Sequence, residues 1–271
     1  MLTKSNKSAS RKRLIWCESI TDSKVWMEEE DKMNTNLLTT VAQNAIFVLE
    51  FLGIVLAIFL IAYFFDKAAK KKTNSTERIL NTKTVVVVGM FSAVATVLMI
   101  FDVPMPFAPS FYKLDFSELP ALIAAFAYGP VAGVMVEFVK IVLKTLVKGT
   151  STAFVGELAN FVIGCSFILP ASILYRFNKS RKNAILSCVL GTAVITILGP
   201  LFNAVYLLPA FARLYGMPLD AIVGMGTAIN PAINSVTTLV IFAVAPLNFI
   251  KGALVSVITV YIYKPLGRIL K

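Results

Sequence analysis

Histidine is absent from all 271 residues. That gap excludes His-ligated metal sites, histidine general bases and Ser-His-Asp triads. Cysteine is scarce: Cys17, Cys165 and Cys188 occur with no CxxC spacing. Cys165 and Cys188 fall in apolar stretches and read as small hydrophobes. Charge is thin too, at 15% of residues, where an ordinary soluble domain carries roughly a quarter. The dipeptide Gly-Lys never occurs. The G-x-x-x-x-G-K-[ST] phosphate loop is therefore missing, and the chain does not hydrolyse ATP through that device.

Apolar residues fill the space, at 57%. Several uncharged runs reach the ~18 residues that suffice to cross a bilayer as a helix. A soluble globular enzyme, a disordered chain and a disulfide scaffold are excluded. The expected fold class is an all-α integral membrane protein.

The net charge of +11 is concentrated in three places. Lys67, Lys70, Lys71, Lys72, Arg78 and Lys83 lie between two apolar segments. Arg176, Lys179, Arg181 and Lys182 lie between two others, and Lys264, Arg268 and Lys271 close the chain. An even number of spans separates these clusters, so all three are expected on the cytoplasmic side, with the C-terminus inside. No aromatic residues interleave the basic runs, which argues against nucleic acid.

Residues 1–43 read as a polar tail, with translation starting at Met33 as the alternative. Residues 44–66 read as an accessory transmembrane helix and 67–83 as a basic cytoplasmic linker. Residues 84–264 read as a six-helix domain and 265–271 as a cytoplasmic tail. Within the domain the expected segments are 84–101, 116–128, 131–147, 154–175, 184–208 and 235–263. The second would be only about 20 Å long at 1.5 Å per residue, too short for a bilayer. Long outer loops are expected at 102–113, rich in proline and aromatics, and at 209–234.

Polar residues inside spans need a reason. Glu137, Lys140, Lys144 and Lys148 fall on one helical stripe. Either Glu137 neutralises Lys140 while the outer lysines snorkel, or the stripe lines a cavity. Lys251 sits near the middle of the last span, five residues after Pro246, where a kink is expected. It suits a ligand cavity or an ion pair with Glu137 or Glu157. Asn203 follows Gly199-Pro200 and offers a donor and an acceptor, for a ligand edge or for a neighbouring helix. Asp115 and Glu118 suit the N-terminus of the short helix. Lys113 is either solvated or part of a lid with Phe107, Phe111 and Tyr112. Gly89 and Ala93, like Ser92 and Thr96, are four apart and permit close helix approach, within the bundle or to another subunit.

One string is specific: Phe111-Tyr112-Lys113-Leu114-Asp115-Phe116-Ser117-Glu118-Leu119-Pro120. It resembles the first-loop motif of the riboflavin-binding S components of energy-coupling factor (ECF) transporters. Gly129-Pro130-Val131-Ala132-Gly133, Lys148-Gly149-Thr150-Ser151-Thr152 and Gly156-Glu157-Leu158-Ala159-Asn160-Phe161 fit the same family. So do Asn203-Ala204-Val205-Tyr206-Leu207-Leu208-Pro209 and Pro246-Leu247-Asn248-Phe249-Ile250-Lys251-Gly252. Five further strings in order, over about residues 82–268, make the likeness strong.

The resemblance implies a six-helix S-component bundle preceded by one extra helix. It implies a non-enzymatic subunit in a bacterial cell membrane that captures riboflavin, with FMN as a second candidate ligand. It further implies a transmembrane coupling subunit and two ATPase subunits as partners, and no cofactor. Asn203 and Lys251 match flavin-binding positions, and Lys113, Leu114 and Asp115 match the closing loop. Gly89 and Ala93 match the docking face. Depth and polarity add Glu157, Asn160 and Thr152 as partners for ribityl hydroxyls. An S component for another vitamin and an intramembrane enzyme using Glu137, Glu157 or Asp115 are the alternatives.

Overall fold

The computed structural model describes residues 45–72, 79–150, 152 and 154–269. The expected tail over 1–43, the start at Met33 and residues 73–78 of the basic linker lie outside these. The chain divides into two compact units, residues 1–53 and 54–271. Of the first, residues 45–53 are described and are helical, with Leu49 and Leu52 exposed.

Helix α1 runs Ala45–Lys72, six residues beyond its expected end. The residues past 66 are lysine and alanine, good helix formers, and Lys70, Lys71 and Lys72 suit the negative end of the helix dipole. Val55, Ala62, Asp66 and Ala69 are buried along one face. Asp66 Oδ1 lies 3.4 Å from Arg176 Nε, and Lys72 Nζ lies 5.3 Å from the Phe177 ring centre.

Asn81 caps helix α2, Thr82–Ile100, by accepting from the Thr84 backbone N–H. A two-residue hairpin pair follows: β1, Val103–Pro104, is antiparallel to β2, Lys113–Leu114. Helix α3, Glu118–Tyr128, has only 11 residues. Leu122, Ala124 and Ala125 are among its buried residues, and it packs against α2 and three later helices. Burial in the bundle, not a bilayer crossing, accounts for its brevity.

Gly129 ends α3 at φ +111°, and Pro130 opens helix α4, Pro130–Lys148. A Cβ on Gly129 would meet Asp66 Oδ1 at 2.8 Å. Gly129→Ala is therefore expected to cost about 1–3 kcal/mol in backbone strain, because φ +111° with ψ 173° is a region essentially confined to glycine, with the contact added. A lowered thermal midpoint in detergent would register it, and an unchanged one would refute it.

Helix α5 spans Val155–Phe177 and α6 spans Arg181–Phe202. The expected loop at 209–234 is largely helical instead. α6 continues through a π turn, Asn203–Leu207, into α7, Leu208–Tyr215; α8 is Leu219–Thr227. Ile222, Val223 and Leu208 pack with Tyr112 and Leu114 of the hairpin segment, so this region has a core of its own. Helix α9, Val236–Leu239, leads through a second π turn, Val240–Val244, into α10, Ala245–Ile269.

Each π turn ends two residues before a proline, Pro209 or Pro246. Proline has no N–H for the carbonyl four residues back and crowds that carbonyl. Widening the turn relieves both. The distortion expected at Pro246 thus takes the form of a π turn just upstream.

Among the described residues, five stretches are long and apolar enough to cross a membrane: Leu49–Lys72, Thr82–Ile100, Val155–Phe177, Arg181–Arg213 and Val236–Tyr263. Helix α4 has 19 residues but carries Glu137, Lys140, Lys144 and Lys148. Exposed Val86, Met90, Val94, Ile197, Leu201 and Val257 give the bundle a lipid-compatible surface. The fold is an all-α, multi-pass membrane bundle.

Candidate functional site

The two π turns place their helices side by side, with Asn203 on one and Asn248 and Lys251 following the other. Gly199 makes the approach possible, because a Cβ there would meet Asn248 Nδ2 at 2.5 Å. Beside them lies a cavity of about 240 Å³. Asn203, Lys251, Lys113, Asp115, Glu157, Asn160 and Thr152 all line it. Leu114 does not; it is buried beneath the hairpin, in the apolar cluster with Tyr112 and Leu208.

One end of the cavity is amide-rich. Asn203 Nδ2 donates to the Gly199 carbonyl at 2.8 Å, and Asn203 Oδ1 accepts from the Tyr112 hydroxyl at 3.0 Å. Asn248 Nδ2 donates to the Val244 carbonyl at 3.0 Å. Both asparagines keep donor and acceptor capacity beyond these bonds. Aromatic rings stand nearby. Phe111 and Tyr112 have centroids 4.5 Å apart, and Phe111 and Phe211 6.4 Å apart. Burial pushes the Tyr112 phenol well above its ordinary pKa, so it serves as a neutral hydroxyl.

Lys251 makes neither of the ion pairs expected for it. Its Nζ lies 2.7 Å from Glu118 Oε1 and 3.2 Å from Asp115 Oδ2. Asp115 also accepts from the Ser117 backbone N–H at 2.8 Å, in an Asx turn that opens α3. Burial alone would raise the Asp115 carboxyl. The ammoniums of Lys251 and Lys140 outweigh it and hold the carboxyl below its ordinary value.

The other end of the cavity is hydroxyl-rich. Glu157 takes Lys144 Nζ at 2.7 Å, Thr152 Oγ1 at 2.8 Å and Thr150 Oγ1 at 3.1 Å. Asn160 Nδ2 donates to the Gly156 carbonyl at 3.1 Å. At the mouth, Asp102 lies 3.0 Å from Lys113 Nζ and 3.8 Å from Lys148 Nζ. The rest of the α4 stripe turns inward: Glu137 Oε2 is 2.7 Å from Lys140 Nζ, and both are fully buried. Gly89 and Ala93 do not line the cavity and are exposed on α2.

Sequence reasoning passed over Asn248, Phe211 and Asp102; Lys144 lines the cavity, as one reading of the α4 stripe had it. Asn248 was open to discovery, since it precedes Lys251 by three residues and so shares its helix face. Phe211 and Asp102 lie in segments expected to be loops, where no period marks a cavity-facing residue.

No metal-binding cluster of His, Cys, Asp or Glu occurs among the described residues. The geometry is that of a binding subunit in a membrane: a partly open cavity with apolar walls, aromatic residues beside it and two groups of polar side chains in its lining. A family model described as "ECF transporter, substrate-specific component" matches residues 83–263. The chain belongs to this family and is a transporter component, not an enzyme.

Relatives include the riboflavin transporter FmnP of Bacillus subtilis (strain 168). It is 38% identical over 180 residues, covering 66% of this chain and 89% of that one. The riboflavin transporter RibU of Staphylococcus aureus (strain TCH60) is 35% identical over 189 residues, covering 70% and 93%. A solved structure described as "Structure and mechanism of the S component of a bacterial ECF transporter" matches with a TM-score of 0.54 at 35% identity. It covers 70% of this chain and 98% of that one.

Proposed function

We propose that this chain captures riboflavin and delivers it through an ECF transporter whose ATPases are separate chains. The observation that carries the reading is the convergence of Asn203, Asn248 and Lys251 on one end of a cavity roofed by Phe111 and Tyr112. Isoalloxazine is flat and aromatic, with one edge that presents carbonyl, N–H and carbonyl. Two amides and an ammonium can complement that edge, and rings can stack on its faces. Thr152, Glu157 and Asn160 at the other end suit ribityl hydroxyls.

The cavity falls below the roughly 300–1,000 Å³ usual for small-molecule sites. Residues 103–114 must therefore open for a flavin to enter, and Tyr112 must yield or share Asn203. Closure of this segment over the flavin would be followed by reorientation of the loaded subunit on its coupling partner. The exposed stripe of Val86, Gly89, Met90, Ala93 and Val97 on α2 suits docking to that partner. Arg176 and Arg181, with the lysines that end α1, support a cytoplasmic face in a bacterial plasma membrane, with the C-terminus on the same side. FMN is a second candidate ligand, because Lys113 and Lys148 flank Asp102 at the mouth, where a phosphate could replace that carboxylate.

The test is an absorbance spectrum and a riboflavin fluorescence titration of the protein in detergent. Near-stoichiometric quenching is expected. Asn203→Ala should weaken binding by about tenfold or more, since it removes a buried amide from the polar end. A folded protein that leaves riboflavin fluorescence unchanged would transfer the reading to another vitamin.

A further inference from the structure

Lys251 reaches the cavity from within a buried ionic cluster. Asp115, Glu118, Glu137, Lys140 and Lys251 are all at most 7% exposed. Glu118 stands at their centre. Its Oε1 is 2.7 Å from Lys251 Nζ and 3.5 Å from Lys140 Nζ. Lys140 is fixed independently, by Glu137 Oε2 at 2.7 Å and by Ser117 Oγ at 2.7 Å. Glu118 itself is 1% exposed and does not line the cavity. Its first-turn position on α3 adds the favourable end of the helix dipole to the two ammoniums.

An ammonium has three N–H donors. Glu118 and Asp115 occupy two of those on Lys251, Glu118 at 2.7 Å, within the range of a charge-assisted bond, and Asp115 by a longer bond of 3.2 Å. One donor is left for an acceptor in the cavity. Without Glu118, the long lysine side chain would be free to follow Asp115 or to swing across the cavity floor.

We propose that Glu118 is a positioning residue for substrate recognition: it aims the remaining Lys251 donor at a carbonyl oxygen of the bound ring system. This rests on the riboflavin reading. Glu118 touches no ligand and acts only through Lys251. The cluster thereby ties the start of α3, and the hairpin segment before it, to the ligand-facing side of α10.

The experiment is a double-mutant cycle on the full chain in detergent, with riboflavin as the probe. Kd and the absorption band of the bound flavin are read for wild type, E118Q, K251M and E118Q/K251M. E118Q is expected to raise Kd about tenfold and to shift the bound band, as an ammonium near the ring edge moves away. In the K251M background, E118Q should change neither. Equal loss in both backgrounds, or no loss in either, overturns the proposal. If E118Q does not fold, Glu118→Asp retains the charge and withdraws the carboxylate by one methylene. A raised Kd and a shifted band are again expected only where Lys251 is present, and wild-type values for both would overturn the proposal. A folded wild-type protein that binds no riboflavin would overturn both readings. Wild-type binding with an additive cycle removes Glu118's role alone.

Discussion

Lys251→Met is expected to lower riboflavin affinity by about 10- to 150-fold. A hydrogen bond from a charged donor contributes about 1.5–3 kcal/mol, and each 1.4 kcal/mol is tenfold in Kd. The variant keeps the apolar stem and loses only the ammonium. It also leaves Asp115 and Glu118 buried with less positive charge around them. Removing one member of a buried pair costs about 3–5 kcal/mol. Lys140 stays within 3.5 Å of Glu118, which places the expected stability loss at the lower end. Titration calorimetry and thermal unfolding in detergent separate the two effects. Adding Asp115→Asn should recover stability without recovering affinity. Wild-type affinity in a folded K251M protein would remove Lys251 from the site.

Lys140→Met should have the larger effect on stability and the smaller effect on binding. Lys140 and Glu137 are both 0% exposed and 2.7 Å apart. Methionine fills the stem volume and leaves Glu137 as an isolated carboxylate in the bundle core. About 3–5 kcal/mol is again the expected cost. The pair K140M/E137Q removes both charges and should regain most of it. Neither residue lines the cavity, so the double variant should bind riboflavin within a few-fold of wild type. The check is the unfolding midpoint of single and double variants side by side. Equal losses in the two would mean that Lys140 acts through Ser117 and Glu118, not through its pairing with Glu137.

Hydropathy made the membrane class and most helices legible, because apolar runs of this length have few other uses. The short α3 was legible as well, since Gly129-Pro130 cuts its pattern. Asn203 and Lys251 stood out because polar side chains in apolar spans are costly. Their surroundings were less accessible. The Lys251–Asp115 contact spans 136 positions, and nothing local in either segment names the other. Glu137 or Glu157 were reasonable partners by depth, but the buried start of α3 brings Glu118 closer. α7 and α8 were hidden because short helices in a loop-like stretch lack a long period. The π turns have no signature beyond the prolines that follow them.

Those turns carry a consequence for how the chain tolerates change. A π turn holds one residue more than the helix around it needs. Deleting any one residue of Val240–Val244 would let α9 and α10 join as an unbroken α-helix. Because the turn already absorbs that extra residue, the flanking helices would stay close to their present register. Asn248 and Lys251 would then keep the face they share with Asn203. A deletion in the α-helix beyond the turn, between Ala245 and Asn248, would instead rotate everything on one side of it by about 100° and shift it by about 1.5 Å. Residue count is thus constrained tightly in the α-helical parts of these two helices and loosely at their π turns.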